Sequence, residues 1–435
     1  MLGLRRVGIG CSARFMSETA DIDQLIADMG ARARAAAKLM AGASTSTKRA
    51  ALTMMASAIR QATPDIIAAN EKDMEAGRAN GLSDAMLDRL RLDEARISGI
   101  ADAVAQVATL DDPVGHVMDE SARPNGLQLS RVRVPLGVIG IIYESRPNVT
   151  ADAAALGLGS GNAVILRGGS EAVNSNRAIH KAMAAAIAAS GLPADAVQLM
   201  PTQDRAAVGA MLTAAGLIDI IIPRGGKSLV ARVQSEARVP VLAHLDGINH
   251  TYVDKAADPA KAEAIAVNAK LRRTGVCGAM ETLLIDQDYP APDALVRALI
   301  EAGSEVRGDD AVMELDDRVQ PATADDWDTE YLAPVVSVAM VDGLGGALTH
   351  IDRHGSHHTD AIVTEDADTA EAFLHAVDSA IVMHNASSQF ADGGEFGLGA
   401  EIGISTGRMH ARGPVALEGL TTYKWLVRGN GQVRP

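Results

Sequence analysis

The stretch VIGIIYESRPNVTADAAALGLGSGNAVILRGGSE, residues 138–171, decides the fold. Its first six residues, Val138–Tyr143, are an apolar run broken only by Gly140, the pattern of a strand buried on both faces of a parallel sheet. Residues 151–158 are small, mostly apolar and helical in pattern. Residues 163–166 form a second apolar run. Arg167-Gly-Gly-Ser-Glu171 then turns into an Ala-rich helix over residues 172–190, ended by Gly191 and Pro193. Strand, helix, strand, glycine turn and helix in succession describe a doubly wound parallel sheet.

The alternation continues outward. Downstream, strands are expected over residues 197–200, 218–222 and 239–242, with helices over 205–215 and 228–237. Upstream, apolar residues recur at helical spacing over 21–40, 47–62, 64–76 and 93–110. Residues 127–134 instead alternate apolar and polar, the period of a half-exposed strand in an antiparallel projection. A second α/β series follows, with helices over 260–271, 293–301 and 369–379. Its strands are expected over 282–285, 335–340, 362–364 and 380–382. Residues 387–413 are rich in Gly and Ser and are expected to form loops packed near a site. The first fifteen residues hold three Arg, one Cys and no acid. They are expected to be a leader, disordered or non-native, in which Cys11 is incidental.

A chain of 435 residues accommodates two or three domains. Its net charge of −15 argues against nonspecific binding of nucleic acid, which needs a basic surface. Two cysteines, Cys11 and Cys277, argue against a disulfide framework and point to a reducing, cytoplasmic compartment. No apolar run approaches the roughly 18 residues that a membrane helix needs.

Cys277 stands in Arg272-Arg-Thr-Gly-Val-Cys-Gly-Ala279. Two guanidinium groups nearby favour a thiolate. Gly278 lets a substrate approach the backbone, and the Cys277 N–H is placed to help bind an oxyanion. A free cysteine also packs as a small hydrophobe, so the residues alone leave nucleophile and core filler both open. Two Gly turns each join a strand to a helix, Arg167–Glu171 and Pro223-Arg-Gly-Gly-Lys-Ser228, where phosphate meets helix N–H groups. Neither is a full dinucleotide fingerprint, and each alone reads equally as a simple turn. His354, His357 and His358 cluster without a conventional supporting Cys or carboxylate spacing, so no metal is expected.

Several long segments occur in one order: 134–149, 161–171, 222–227, His244-Leu-Asp-Gly247, 268–277, His357-His-Thr-Asp-Ala-Ile-Val363 and 412–425. In that order they resemble the aldehyde dehydrogenase superfamily, and within it the gamma-glutamyl phosphate reductase family. The resemblance covers nearly everything after Met16. It implies an aldehyde-dehydrogenase-like α/β fold, with two doubly wound parallel-sheet domains and a small oligomerisation projection. The implied boundaries are a dinucleotide-binding domain with N-terminal helices over residues 16–243, with a possible oligomerisation strand at 125–135, and a catalytic domain over 244–405. A C-terminal segment over 406–435 then serves oligomerisation or returns to the cofactor domain.

The resemblance implies that Cys277 is the covalent nucleophile of an NADPH-dependent, phosphorylating glutamate-5-semialdehyde dehydrogenase in proline biosynthesis. The thiolate attacks L-glutamyl 5-phosphate, phosphate leaves, and hydride from NADPH reduces the thioester. Aldehyde-oxidising relatives begin the segment matching 244–247 with a Glu that activates water. Here that residue is His244, which fits a reductase that must keep its thioester from water. His244 also reads as a core histidine. Asn268 and Asn148 are candidate oxyanion donors, and Asn148 equally suits a helix cap or a turn. The expected cofactor contacts are Arg167, Gly168, Gly169, Ser170 and Glu171, then Gly225, Gly226 and Lys227, and Glu330 for the nicotinamide ribose. Arg167 stands where many NAD-linked relatives carry Lys, and its guanidinium suits a 2′-phosphate, favouring NADP. Arg146, Arg272 and Arg273 are the cations expected to face the substrate's anions. A homo-oligomer is expected, as is functional coupling to glutamate 5-kinase, and neither nucleic acid nor membrane. The alternatives are NAD(P)-dependent oxidation of another aldehyde, or a dinucleotide-binding protein without catalysis.

Overall fold

The structure, a computed structural model, describes residues 10–434, with side chains from residue 21 onward. The chain divides into two compact units. The first takes residues up to Leu242 and those from Ala416; the second runs Ala243–Val415. The return to the first unit therefore falls at Ala416 rather than at 406. Most of the segment read as a leader, residues 1–9, lies outside the described residues. From Gly10 the chain is helical, and the Gly10–Met40 helix begins well before the expected position 21.

The first unit holds a four-stranded parallel sheet in the order Val197–Leu199, Ala163–Gly168, Val138–Tyr143, Ile220–Arg224. Every residue of the Val138–Tyr143 and Ala163–Gly168 strands is buried, as the unbroken apolar runs require. Gly140 is needed because a β-carbon there would lie 2.5 Å from Ile221 Cδ1. One face of the sheet packs Val138, Ile165 and Ile221 against Ile26, Met29 and Ala33 of the first helix. Each such buried aliphatic side chain contributes about 1.5–3 kcal/mol. The strand expected at 239–242 is absent: only a single bridge, Val241 to Ile221, forms there. A helix at Asp84–Leu90, not expected, caps its N-terminus with Ser83.

Residues 127–134 do belong to an antiparallel projection. Gln128–Pro135 is the middle strand of a three-stranded sheet, between Val117–Ala122 and Thr421–Arg428. The third strand comes from the far end of the chain, so the return of the tail completes this sheet.

The second unit is a seven-stranded parallel sheet in the order Gln320–Pro321, Glu305–Gly308, Val335–Val341, Met280–Asp286, Asn249–Val253, Thr359–Val363, Ile381–His384. Helices cover both faces. Leu283, Val336 and Val338 pack with Ala266, Leu295 and Leu299 on one side. Tyr252, Leu284 and Ala339 pack with Ile351 and Phe373 on the other. The helix at Gly343–His354 and the strands at Asn249–Val253 and Glu305–Gly308 were not expected.

Candidate active site

Cys277 lies in the short connection between the Pro259–Leu271 helix and the Met280–Asp286 strand. The helix starts at Pro259 with Asp258 as its cap, the carboxylate accepting from the Lys261 N–H at 2.9 Å. The connection is clamped by Asn249. Its side-chain amide donates to the Cys277 carbonyl at 2.6 Å and to the Ala279 carbonyl at 2.8 Å. Its carbonyl oxygen accepts the Thr359 N–H at 3.1 Å. One fully buried side chain thus ties together the starts of three parallel strands. Gly247 packs so closely that an added β-carbon would collide with the Cys277 carbonyl oxygen. The Gly247 N–H donates to Glu330 at 3.0 Å, which brings Glu330 beside the cysteine loop.

Two histidines join the thiol. A ring nitrogen of His244, a ring nitrogen of His358 and the Cys277 sulfur all lie within 4.8 Å of one another. The imidazoles meet edge to face with centroids 5.0 Å apart. Nδ1 of His244 is 2.9 Å from the Ile404 carbonyl. A carbonyl only accepts, so that nitrogen carries the proton and Nε2 is the basic one. His358 is fully buried. Burial, with His244 beside it, pushes its pKa down to about 3, so it is neutral. Its Nδ1 meets the Thr359 hydroxyl at 2.9 Å. The three histidines noted in the sequence separate: His354 meets Asp328 at 2.8 Å, His357 meets the Asp378 carbonyl at 3.2 Å, and only His358 reaches the cysteine.

The Gly- and Ser-rich segment packs where expected. Ile404 holds His244, and the Ser388 carbonyl oxygen would lie 3.1 Å from a β-carbon on Gly278. Gln389 donates to the Ala269 and Arg273 carbonyls at 2.9 and 3.2 Å, fixing the approach to Cys277.

Not every expected residue gathers here. Asn268 is exposed on the Pro259–Leu271 helix, where it lines a shallow surface groove with Glu263, Val267 and Arg272. Asn249 is the asparagine that holds the cysteine loop. Nothing in its pentapeptide, Asn-His-Thr-Tyr-Val, marked it: the polar residues hid the strand itself. Arg272 and Arg273 are exposed, one at the helix C-cap and one just after it. Arg146 and Asn148 belong to the first unit. Asn148 donates to Asp152 at 2.8 Å.

In the first unit, both Gly turns lie at the carboxyl ends of parallel strands, where ligands bind in such sheets. Arg167 is buried, and donates to the Gly168 and Gln203 carbonyls at 3.1 and 3.0 Å. Burial lowers its pKa, against the pull of Glu171 and Glu144. Ser170 begins the helical turn that Glu171 shares, and the Glu171 carboxylate accepts from the N–H and hydroxyl of Ser145. Ser145 has φ of +44°, a strained value for a residue with a β-carbon. The Gly226 N–H, at the start of the Lys227–Glu236 helix, donates to Glu144 at 3.2 Å. A carboxylate thus sits at an anion position of the second turn.

The Aldehyde dehydrogenase family model matches residues 16–322. A gamma-glutamyl phosphate reductase of Sphingopyxis alaskensis is 74% identical over 411 residues, 94% of this chain and 96% of the relative. One from Rhizorhabdus wittichii is 71% identical, over 95% and 97%. The chain belongs to the gamma-glutamyl phosphate reductase family of aldehyde dehydrogenases. The crystal structure of a gamma-glutamyl phosphate reductase from Thermotoga maritima superposes with a TM-score of 0.92 at 41% identity, covering 94% of this chain and all of that one. As a member of that family the protein is an oxidoreductase with the aldehyde dehydrogenase fold, and its family uses a nicotinamide cofactor.

Proposed function

We propose that this protein reduces L-glutamyl 5-phosphate to L-glutamate 5-semialdehyde in proline biosynthesis, through a thioester on Cys277. The observation that carries the mechanism is the Cys277 sulfur with two imidazole nitrogens within 4.8 Å, on a loop clamped by Asn249. The reductases similar along nearly the whole chain support the substrate.

Nε2 of His244 takes the thiol proton and leaves a thiolate. The thiolate attacks the acyl carbon, the carbon–oxygen bond to phosphate breaks, and phosphate leaves with the electron pair. The Cys277 N–H stands by for the oxyanion. NADPH supplies the hydride when bound. The resulting alkoxide collapses to the aldehyde carbonyl as the carbon–sulfur bond breaks, and the departing thiolate recovers the proton stored on His244. While the thioester stands, His244 already carries the thiol proton and so cannot activate water against it, unlike the Glu that oxidising relatives carry at this position.

For the cofactor, the turns Arg167–Glu171 and Gly225–Lys227 fit a dinucleotide. Nε of Arg167 is buried with no hydrogen-bond partner among the described residues, and Gly225 and Gly226 are exposed at a helix start. Glu330 is assigned to the nicotinamide ribose, and Arg146, Arg272 and Arg273 to the substrate's anions. Asn148 remains the assigned oxyanion partner. The protein acts in the cytoplasm as a homo-oligomer, coupled to the glutamate 5-kinase that makes its labile substrate. Among the described residues no helix is long and apolar enough to cross a membrane.

The test is the reverse reaction: glutamate 5-semialdehyde and NADP, with and without inorganic phosphate. NADPH formation that requires phosphate and vanishes in Cys277→Ser is the expected result. NADPH formed without phosphate would mean that water resolves the thioester, and the reductase reading would be abandoned.

A further inference from the structure

We propose that Cys277, His244 and His358 form a three-ligand site for a soft divalent cation of the zinc class, whose binding reversibly silences the enzyme. The three donor atoms lie within 4.8 Å of one another. In a tetrahedral zinc site, bonds of about 2.3 Å to sulfur and about 2.0 Å to nitrogen set donors roughly 3.5 Å apart. Small side-chain rotations close that gap.

The surroundings are those of a ligand set. Metal-binding histidines use one ring nitrogen for the metal and engage the other with a protein oxygen, which fixes the ring. His244 has Nδ1 on the Ile404 carbonyl, and His358 has Nδ1 on the Thr359 hydroxyl. Nε2 of His358 is buried without a hydrogen-bond partner among the described residues. An unsatisfied buried nitrogen costs stability unless something occupies it. One thiolate and two imidazoles suit zinc and disfavour magnesium or calcium, which take oxygen ligands. Three protein ligands leave a fourth position for water.

Binding exchanges the thiol proton for the metal–sulfur bond, with no redox change. Loss of turnover rests on the reading of Cys277 as nucleophile; cation binding does not. This separates the two in experiment.

The full-length protein is treated with EDTA, then titrated with Co2+ as a spectroscopic probe and with Zn2+ as an inhibitor. The expected result is one equivalent of Co2+ giving a near-ultraviolet thiolate-to-cobalt band, displaced by Zn2+. Zn2+ inhibits, EDTA restores turnover, and Mg2+ does nothing. His358→Gln weakens Zn2+ inhibition at least about tenfold. Thr359→Val, which only releases the ring, weakens it in the same direction and serves if His358→Gln does not fold. No cobalt band, or equal zinc sensitivity in folded His358→Gln, overturns the site. A band with undiminished turnover keeps the site and overturns Cys277 as nucleophile.

Discussion

At the scale of single residues, the loop carrying Cys277 is held from behind by Asn249. Replacing Asn249 with Ala leaves the Cys277 and Ala279 carbonyls without their donor in a buried setting. The expected cost is about 1–3 kcal/mol of stability and a fall in kcat of tenfold or more, with KM for the cofactor little changed. Urea denaturation and steady-state kinetics measure both. Glu144 carries an opposite expectation. Its carboxylate occupies the Gly226 N–H where a cofactor phosphate is assigned. Glu144→Gln removes that charge, so a titration of nucleotide fluorescence should show tighter NADPH binding, by several-fold. Weaker binding would place the phosphate elsewhere. Cys277 itself was legible because glycine, arginine and motif order surround it. Asn249 and His358 were not. Asn249 acts through hydrogen bonds to distant segments, and His358 only through the fold that brings its ring to Cys277.

At the scale of elements, the Pro259–Leu271 helix and the Met280–Asp286 strand are joined by a buried ion pair. Lys270 Nζ lies 2.5 Å from Glu281 Oε2, with both side chains at most 1% exposed. Burial drives Lys270 down and Glu281 up, to about 7. Lys270→Met strands the carboxylate and should lower stability by about 3–5 kcal/mol, read from denaturant midpoints. A loss below roughly 1 kcal/mol would mean that Glu281 simply takes a proton. Elements made of apolar runs, such as Val138–Tyr143, were plain in the sequence because burial on both faces leaves no polar positions. Val117–Ala122 was not: its residues, Val-Met-Asp-Glu-Ser-Ala, are mostly exposed and are strand only through pairing with Gln128–Pro135. Asn249–Val253 was missed for the opposite reason. It buries Asn, His and Thr, and Asp360 satisfies the His250 N–H and ring at 2.9 and 3.1 Å.

At the scale of the whole molecule, acid should destabilise the fold. His350 packs among Trp327, His250 and His354, with Arg353 and Asp328 also facing it. Burial, then the neighbouring His250 and His354, push its pKa from 6.5 to about 3. The unfolded chain binds a proton below pH 6.5 that the folded chain refuses. Its contribution is therefore complete above pH 6.5 and is lost as pH falls toward 3, about 2 kcal/mol of it between pH 7 and pH 5. His350→Phe should flatten that part of a plot of urea midpoint against pH. The antiparallel sheet carries another expectation. Tyr423, Trp425 and Val427 are half exposed on its outer strand, with the Arg131 guanidinium 5.3 and 5.5 Å from the two rings. If the homo-oligomer forms through this edge, Trp425→Glu yields a smaller particle by light scattering; an unchanged mass would move the interface elsewhere.

The same outer strand bears on how the protein is made. Thr421–Arg428 pairs with Gln128–Pro135, so the two halves of that ladder leave the ribosome far apart, with the whole second unit between them. The contiguous second unit is fully translated before the first unit receives its last strand. The enzyme therefore cannot mature in the order in which it is synthesised. Nascent chains wait with an open sheet edge until residues 421–428 emerge, and loss of those residues would leave that edge bare to aggregate.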